Sequence, residues 1–326
     1  MASDSKIAKP KLKLAVYWAS SCGGCCVSVL DTHEKLLDIV AAADPVFWPI
    51  AMDIKYHDVE AMEDQSIDLT LFNGAVRNSE NRHMARVLRD KSKILVAYGA
   101  CAGMGGIPGL ANFFTKEDLF RRVYDDSEST VNPDRIRPMP VSEVPEGTLE
   151  IPGFFNRVYA LDQVVEVDYY IPGCPPQSER LIEVFTAVVT GANLPPKGSV
   201  VGAGEKTNCE DCLRIKSENK KVSRFYRPWE IQEDKKSCFL EQGIICMGPA
   251  TRSGCGVRCV AGNSPCRGCY GPPSTTDDAG ARMMAAISSM IDSDQPETID
   301  EAVSTIADPG GLFYRFSLPA SILEKP

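Results

Sequence analysis

Histidine is scarce in this 326-residue chain: there are three, and none follows His83. Beyond that point any metal must be held without imidazole. No apolar run reaches the roughly 18 to 20 residues that a membrane-spanning helix needs, which argues against a bilayer span. Clustered basic residues are missing as well. Lys and Arg number 35 against 44 Asp and Glu, for a formal charge of −9 and a pI near 5.1. Phosphate neutralisation needs outward-facing Lys and Arg, so a nucleic-acid surface is disfavoured and a protein partner or small charged carrier fits better. The opening MASDSKIAKPKLKL lacks the apolar stretch of a signal peptide, from which we expect a cytoplasmic protein.

What the chain has in abundance is cysteine. Thirteen occur, at 22, 25, 26, 101, 174, 209, 212, 238, 246, 255, 259, 266 and 269. In a long chain from a reducing compartment, thiols grouped in short C-x-x-C units point to metal ligation rather than to disulfides. Thirteen permits three four-thiol sites with one to spare.

The first 190 or so residues alternate strand-like and helix-like patterns, which favours a doubly wound parallel sheet with helices on both faces. KLKLAVYW reads as a buried parallel strand. VSVLDTHEKLLDIVAAA places Val27, Leu30, Leu37, Val40 and Ala41 at helical spacing and reads as one helix, with His33 on an exposed or interface face. Further strands are read over PVFWPIA, SIDLTLFNGA, KILVAYGA and VVEVDYYIPG, and a helix over NSENRHMARVLRDK. Sites in such folds form outside the carboxyl ends of the strands. Cys22 and Cys25 follow the first strand, Cys101 follows ILVAYGA and Cys174 follows VDYYIPG, so three loops deliver thiols to one sheet edge. Four soft thiolates suit either an iron-sulfur cluster or tetrahedral zinc, and spacing alone does not separate these. A lone Cys101 would more often be a small core residue. GACAGMGGIPG lacks the Lys-Ser/Thr of a phosphate loop, and its glycines suit close backbone approach to sulfur.

These residues resemble the small subunit of nickel-iron hydrogenases. That family's proximal 4Fe-4S site takes a C-x-x-C after the first strand, a cysteine in a G-[AT]-C loop and one in PGCPP, matched here by CGGC (Cys22, Cys25), YGACAGMGGIP (Cys101) and IPGCPP (Cys174). Cys26 is then the spare, read as a packing thiol. The resemblance implies a flavodoxin-like α/β domain over 1–200 and a smaller, irregular, cysteine-rich iron-sulfur domain over 201–326. The second part carries eight thiols, in NCEDC and KKSCFLEQGIICMGPATRSGCGVRCVAGNSPCRGCYGPP. With little apolar periodicity, it reads as a domain whose core is partly inorganic. By the family's spacing, Cys209, Cys212, Cys238 and Cys246 would hold a distal 4Fe-4S cluster, with Cys209 where the family has histidine. Cys255, Cys259, Cys266 and Cys269 would hold a medial 4Fe-4S cluster, Cys259 supplying a fourth ligand that well-known members lack.

What the resemblance implies is an electron relay without acid-base catalytic residues. Its partner would be a large subunit holding the Ni-Fe centre. Within the family the likeness runs to the cytosolic group 3 type, nearest to the small (gamma) subunit of the viologen-reducing, deazaflavin-independent enzyme of methanogenesis. That type passes electrons through a small 2Fe-2S protein to the flavin subunit of an electron-bifurcating heterodisulfide reductase. The alternatives are the small subunit of a deazaflavin-reducing hydrogenase, a quinone-reductase cluster subunit, which leaves eight cysteines unexplained, and a zinc-stabilised scaffold. SENKKVSRFYRPWEIQEDKK reads as a charge-mixed linker, and GARMMAAISSMIDS as an amphipathic helix with packing methionines.

Overall fold

The apolar stretch LKLAVYW buries Leu14 to Tyr17 almost completely and forms β1 (Leu12–Trp18), inside a parallel sheet. In the computed structural model, residues 11–192, 194–218 and 220–323 are described. Residues 1–10, most of the stretch read above for a leader, lie outside them. β1 is flanked by β2 (Ala43–Phe47) and β3 (Ile67–Asn73), followed outward by β4 (Ser92–Tyr98), β5 (Tyr169–Ile171) and β6 (Ser199–Val200). The spatial order is β6-β5-β4-β3-β1-β2, parallel throughout. This is the flavodoxin-like order 2-1-3-4-5 with a sixth strand added. Leu14 aligns with Leu69, Leu69 with Ile94 and Val96 with Tyr169.

Two side-chain cores cover the faces. Leu69, Leu71, Val96 and Tyr98 lie in one; Phe72, Leu88 and Leu95 lie in the other. Each such burial contributes about 1.5–3 kcal/mol. A few of them outweigh the ~1 kcal/mol cost of fixing a glycine in a loop at the carboxyl edge.

Three departures from the sequence reading bear on the site. The single helix expected after β1 is two, α1 (Gly24–Leu30) and α2 (Lys35–Ala42). His33 takes φ 53° in the intervening turn, and Thr32 Oγ1 donates to Val29 O. His33 is exposed there, off the helix. The apolar spacing that suggested one helix is a solvent-facing row in this chain: Val27, Leu30, Leu37 and Val40 are all exposed. The regular alternation also breaks. Between α4 (Ala100–Met104), which follows α3 (Ser79–Lys91), and β5 the chain leaves the sheet. It forms an antiparallel hairpin (Val141–Val144 with Gly147–Glu150) and a strand (Phe154–Tyr159) paired antiparallel to Val76–Asn78.

The third departure is the second half. After α5 (Ser178–Thr190) regular structure becomes sparse, yet a real side-chain core is present. Phe239, Ile244, Met247 and Val260 from the cysteine-rich loops pack with Met283, Ile287 and Phe313, so this half is not held by inorganic groups alone. The missing apolar residues come from the C-terminal helices, including α6 (Ala279–Ser288), on which Met283 is buried and Met284 exposed. The supposed linker contributes as well, through buried Val222 and Phe225, while Trp229 is exposed. Among the described residues no helix is long and apolar enough to cross a membrane.

Candidate metal centre

The carboxyl ends of β1, β4 and β5 lead to Cys22 in a loop and Cys25 in the first turn of α1, to Cys101 in the first turn of α4, and to Cys174 in a loop. The structure brings these four together. Burial drives the Cys25 thiol far above its ordinary pKa, reinforced by Cys101, Cys174 and Cys22. Burial likewise pushes Cys101 up to about 12, with Cys174 and Cys22 adding to it and the Ile107 N–H opposing. Cys174 is raised by burial and by Cys22. Each thiol therefore lies within electrostatic reach of the others, where four negative charges would repel unless a cation shared them. Cys25 and Cys101 are buried, while Cys22 and Cys174 are exposed at the rim.

Glycine is required where backbone meets sulfur. A methyl group at Gly99 (φ +92°) would stand 2.5 Å from Cys25 Sγ, and one at Gly106 (φ +57°) 2.5 Å from Cys101 Sγ. Cys26 faces elsewhere. It is buried and accepts a 3.2 Å hydrogen bond from Asn73 Nδ2, at the end of β3, whose amide also donates to Tyr17 O.

The C-terminal thiols crowd together. Burial pushes Cys209 up to about 12; Cys238, Cys212 and Cys266 add to this, and Lys216 opposes it. A methyl group at Gly248 would stand 2.8 Å from Cys209 Sγ and 3.7 Å from Cys246 Sγ. Cys255, Cys259, Cys266 and Cys269 line one cavity of about 280 Å³. Asn208 and Thr251 flank it, the former accepting from Cys255 Sγ at 3.3 Å, the latter 3.6 Å from Cys266 Sγ.

The sheet-edge and C-terminal thiols adjoin. Cys174 lines the same cavity. Cys269, pushed up to about 12 chiefly by burial and then by Cys266, has Cys174 as its next contributor and accepts a hydrogen bond from the Cys174 N–H. At the other side the Cys266 N–H donates to Cys246 Sγ at 3.3 Å. Sulfur thus follows sulfur from the sheet edge to Cys209.

Soft thiol donors in fours, glycines that clear space beside sulfur and a buried, unpartnered Tyr270 hydroxyl in the cavity wall fit iron-sulfur ligation. Among the described residues no three His, Cys, Asp or Glu side chains close around a single ion. Cys255, Cys259, Cys266 and Cys269 instead surround space for something larger. Sequence reasoning singled out twelve of these thiols but not the polar residues that serve them. Asn73 and Thr251 meet their cysteines only after folding; Asn208 and Tyr270 adjoin Cys209 and Cys269 in sequence, but only the fold brings Asn208 to Cys255 and Tyr270 to the wall of the shared cavity.

Comparison with known proteins places the chain among hydrogenase subunits. Residues 22–188 match the family described as NADH ubiquinone oxidoreductase, 20 Kd subunit. The iron-sulfur subunit of the F420-non-reducing hydrogenase of Archaeoglobus profundus is 44% identical, over 96% of this chain and 98% of its own. A subunit of the F420-non-reducing hydrogenase of Methanothermobacter marburgensis is 37% identical over 96% of each. In fold, the chain resembles a NiFeSe hydrogenase of Dm. baculatum, with a TM-score of 0.50 at 19% identity, covering 82% of this chain and 97% of that one.

Proposed function

This chain belongs to the family of iron-sulfur subunits of F420-non-reducing hydrogenases, and from that premise we propose that it conducts electrons, released from hydrogen in a partner large subunit, through three 4Fe-4S clusters. The chain is a hydrogenase electron-transfer subunit, and the large subunit is its partner. We assign the hydrogen-activating Ni-Fe centre to that partner. The proximal cluster falls to Cys22, Cys25, Cys101 and Cys174; the medial to Cys255, Cys259, Cys266 and Cys269; the distal to Cys209, Cys212, Cys238 and Cys246. When bound, such clusters supply reversible one-electron storage.

The chain's own residues do the rest. Burial of Cys25, Cys101, Cys246 and Cys266 keeps water from the sulfurs. Gly99, Gly106 and Gly248 let backbone come close without a side chain in the way. The N–H groups of Ile107, Cys174, Gly248 and Cys266 point at sulfur and stabilise negative charge there. The observation that carries the reading is the succession of thiols, joined at Cys174–Cys269 and at Cys266–Cys246. We read residues 1–200 as the domain of the proximal site and 201–326 as that of the other two.

For the acceptor we infer a small 2Fe-2S protein and, beyond it, the flavin of an electron-bifurcating heterodisulfide reductase, working in the cytoplasm. A deazaflavin-reducing role is disfavoured by the F420-non-reducing names its relatives carry. A single-cluster quinone-reductase subunit accounts for no thiol beyond the family match that ends at residue 188. Reductive titration followed by electron paramagnetic resonance, with iron and sulfide analysis of the co-purified complex, tests the proposal. About twelve irons and twelve sulfides per chain are expected from three cubanes, over and above the iron and sulfide that the large subunit and any 2Fe-2S partner bring; zinc with little sulfide, or four irons, would overturn it.

A further inference from the structure

Tyr270 directly follows Cys269, is 3% exposed, and has a buried hydroxyl without a hydrogen-bond partner. It lines the cavity of about 280 Å³ that Cys255, Cys259, Cys266 and Cys269 share. A buried O–H needs an acceptor; no protein atom, thiol sulfur included, lies within hydrogen-bond reach of it, and a sulfur of the group held in the cavity would supply one.

The other hydroxyls lining the cavity already have acceptors, Ser28 in Cys25 O and Ser178 in Ser28 O. Thr251 Oγ1 donates its hydrogen to Met247 O at 2.6 Å. Asn208 meets Cys255 through its acceptor oxygen, at 3.3 Å. Tyr270 is therefore the side-chain hydroxyl that still has a hydrogen to give.

We propose that Tyr270 is a positioning residue that sets the reduction potential of the group held by Cys255, Cys259, Cys266 and Cys269, by donating a hydrogen bond from its hydroxyl to sulfur there. The inference rests on the iron-sulfur reading of that cavity. Reduction adds one electron, whose charge spreads onto sulfur. The O–H···S bond strengthens with that charge and favours the reduced form. No proton leaves the tyrosine and no bond is broken.

The test is Tyr270→Phe in the intact large–small subunit complex, which removes one oxygen and keeps the ring. Iron and sulfide counts should equal those of the unaltered complex. In a potentiometric titration followed by electron paramagnetic resonance, one of the C-terminal clusters should become harder to reduce. A roughly tenfold fall in its reduced-to-oxidised ratio at fixed potential corresponds to about 59 mV for a one-electron couple. An unchanged set of midpoints with full iron content overturns the proposal for Tyr270 while leaving the relay intact. If the variant loads poorly, the unaltered complex decides. After exchange into D2O, electron-nuclear double resonance on the reduced clusters should reveal an exchangeable proton coupling beyond those of the backbone N–H groups, one that the loaded fraction of Tyr270→Phe lacks; identical couplings in the two count against the hydroxyl. Too little iron or sulfide in the unaltered complex would instead sink the cluster reading, and this inference with it.

Discussion

Cys25 and Cys26 are neighbours in sequence with different surroundings. Successive side chains on a helical turn diverge by about 100°, and α1 turns Cys25 toward Gly99 and Cys101 while Cys26 meets Asn73. Replacing Cys26 with Ser should leave all clusters in place, whereas Cys25→Ser should lose the proximal one. Iron analysis with electron paramagnetic resonance distinguishes the two, and loss of the proximal signal in the Cys26 variant would contradict the assignment. Gly106 is equally constrained, since a methyl group there meets Cys101 Sγ at 2.5 Å with φ at +57°. Gly106→Ala should cost about 1–3 kcal/mol from backbone strain and displace Cys101, read as a lower Tm and a lower iron content; a variant melting with the unaltered protein would refute this.

At the scale of elements, Asp168 ties α3, β4 and β5 together. Its carboxylate accepts from Arg89 Nη1 at 2.6 Å and from Leu95 N at 2.8 Å, pairs with Lys197 at 2.6 Å, and its own N–H donates to Leu95 O. Burial works to raise its pKa, but the bonds from Lys197, Arg89 and Leu95 outweigh it and hold the group below the usual carboxylate range. A depressed carboxylate stabilises the fold fully above its unfolded value, near 3.9, and that contribution fades as pH falls through the folded value. Asp168→Asn should therefore cost about 3 kcal/mol at pH 7, by leaving Arg89 without its counter-charge. Urea unfolding at pH 7 and pH 3 checks this: the gap between variant and unaltered protein should narrow at the lower pH, and a gap independent of pH would argue against it. Sequence reached this part of the molecule well for a definite reason. Buried parallel strands such as β1, β3 and β4 are near-continuous apolar runs, and the segments after β1, β4 and β5 are where the thiols sit. It failed where apolar spacing served the surface instead of the core, as in Val27 to Val40, and along the irregular excursion between α4 and β5, where no period is kept. Asp168 itself was invisible, because its partners lie far off in sequence.

On the scale of the whole molecule, the second half was legible in its cysteines and, within its core, at the helix of GARMMAAISSMIDS, whose Met283 packs as expected. The motifs from Cys209 to Cys269 stand together in sequence, but the residues packed beneath them arrive from 279 to 318, beyond any motif. This arrangement separates the fate of the fold from that of the iron. Chelation of the reduced protein should leave most of the far-ultraviolet circular dichroism in place, since Phe239, Ile244, Met283 and Phe313 remain packed. The thiol-bearing loops between residues 205 and 272 should become the first sites of limited proteolysis; cleavage spread evenly over the chain would contradict a retained core. The first half obeys a different order in time. Cys22, Cys25, Cys101 and Cys174 meet only because β5 lies beside β4 at the sheet edge. A ribosome that has made the chain through β4 and the loop after it has already released three of these thiols with nothing to close around them. The site is finished only when Cys174 emerges and β5 finds its place, so loading is tied to completion of the sheet, and a stalled chain leaves those three sulfurs open to oxidation.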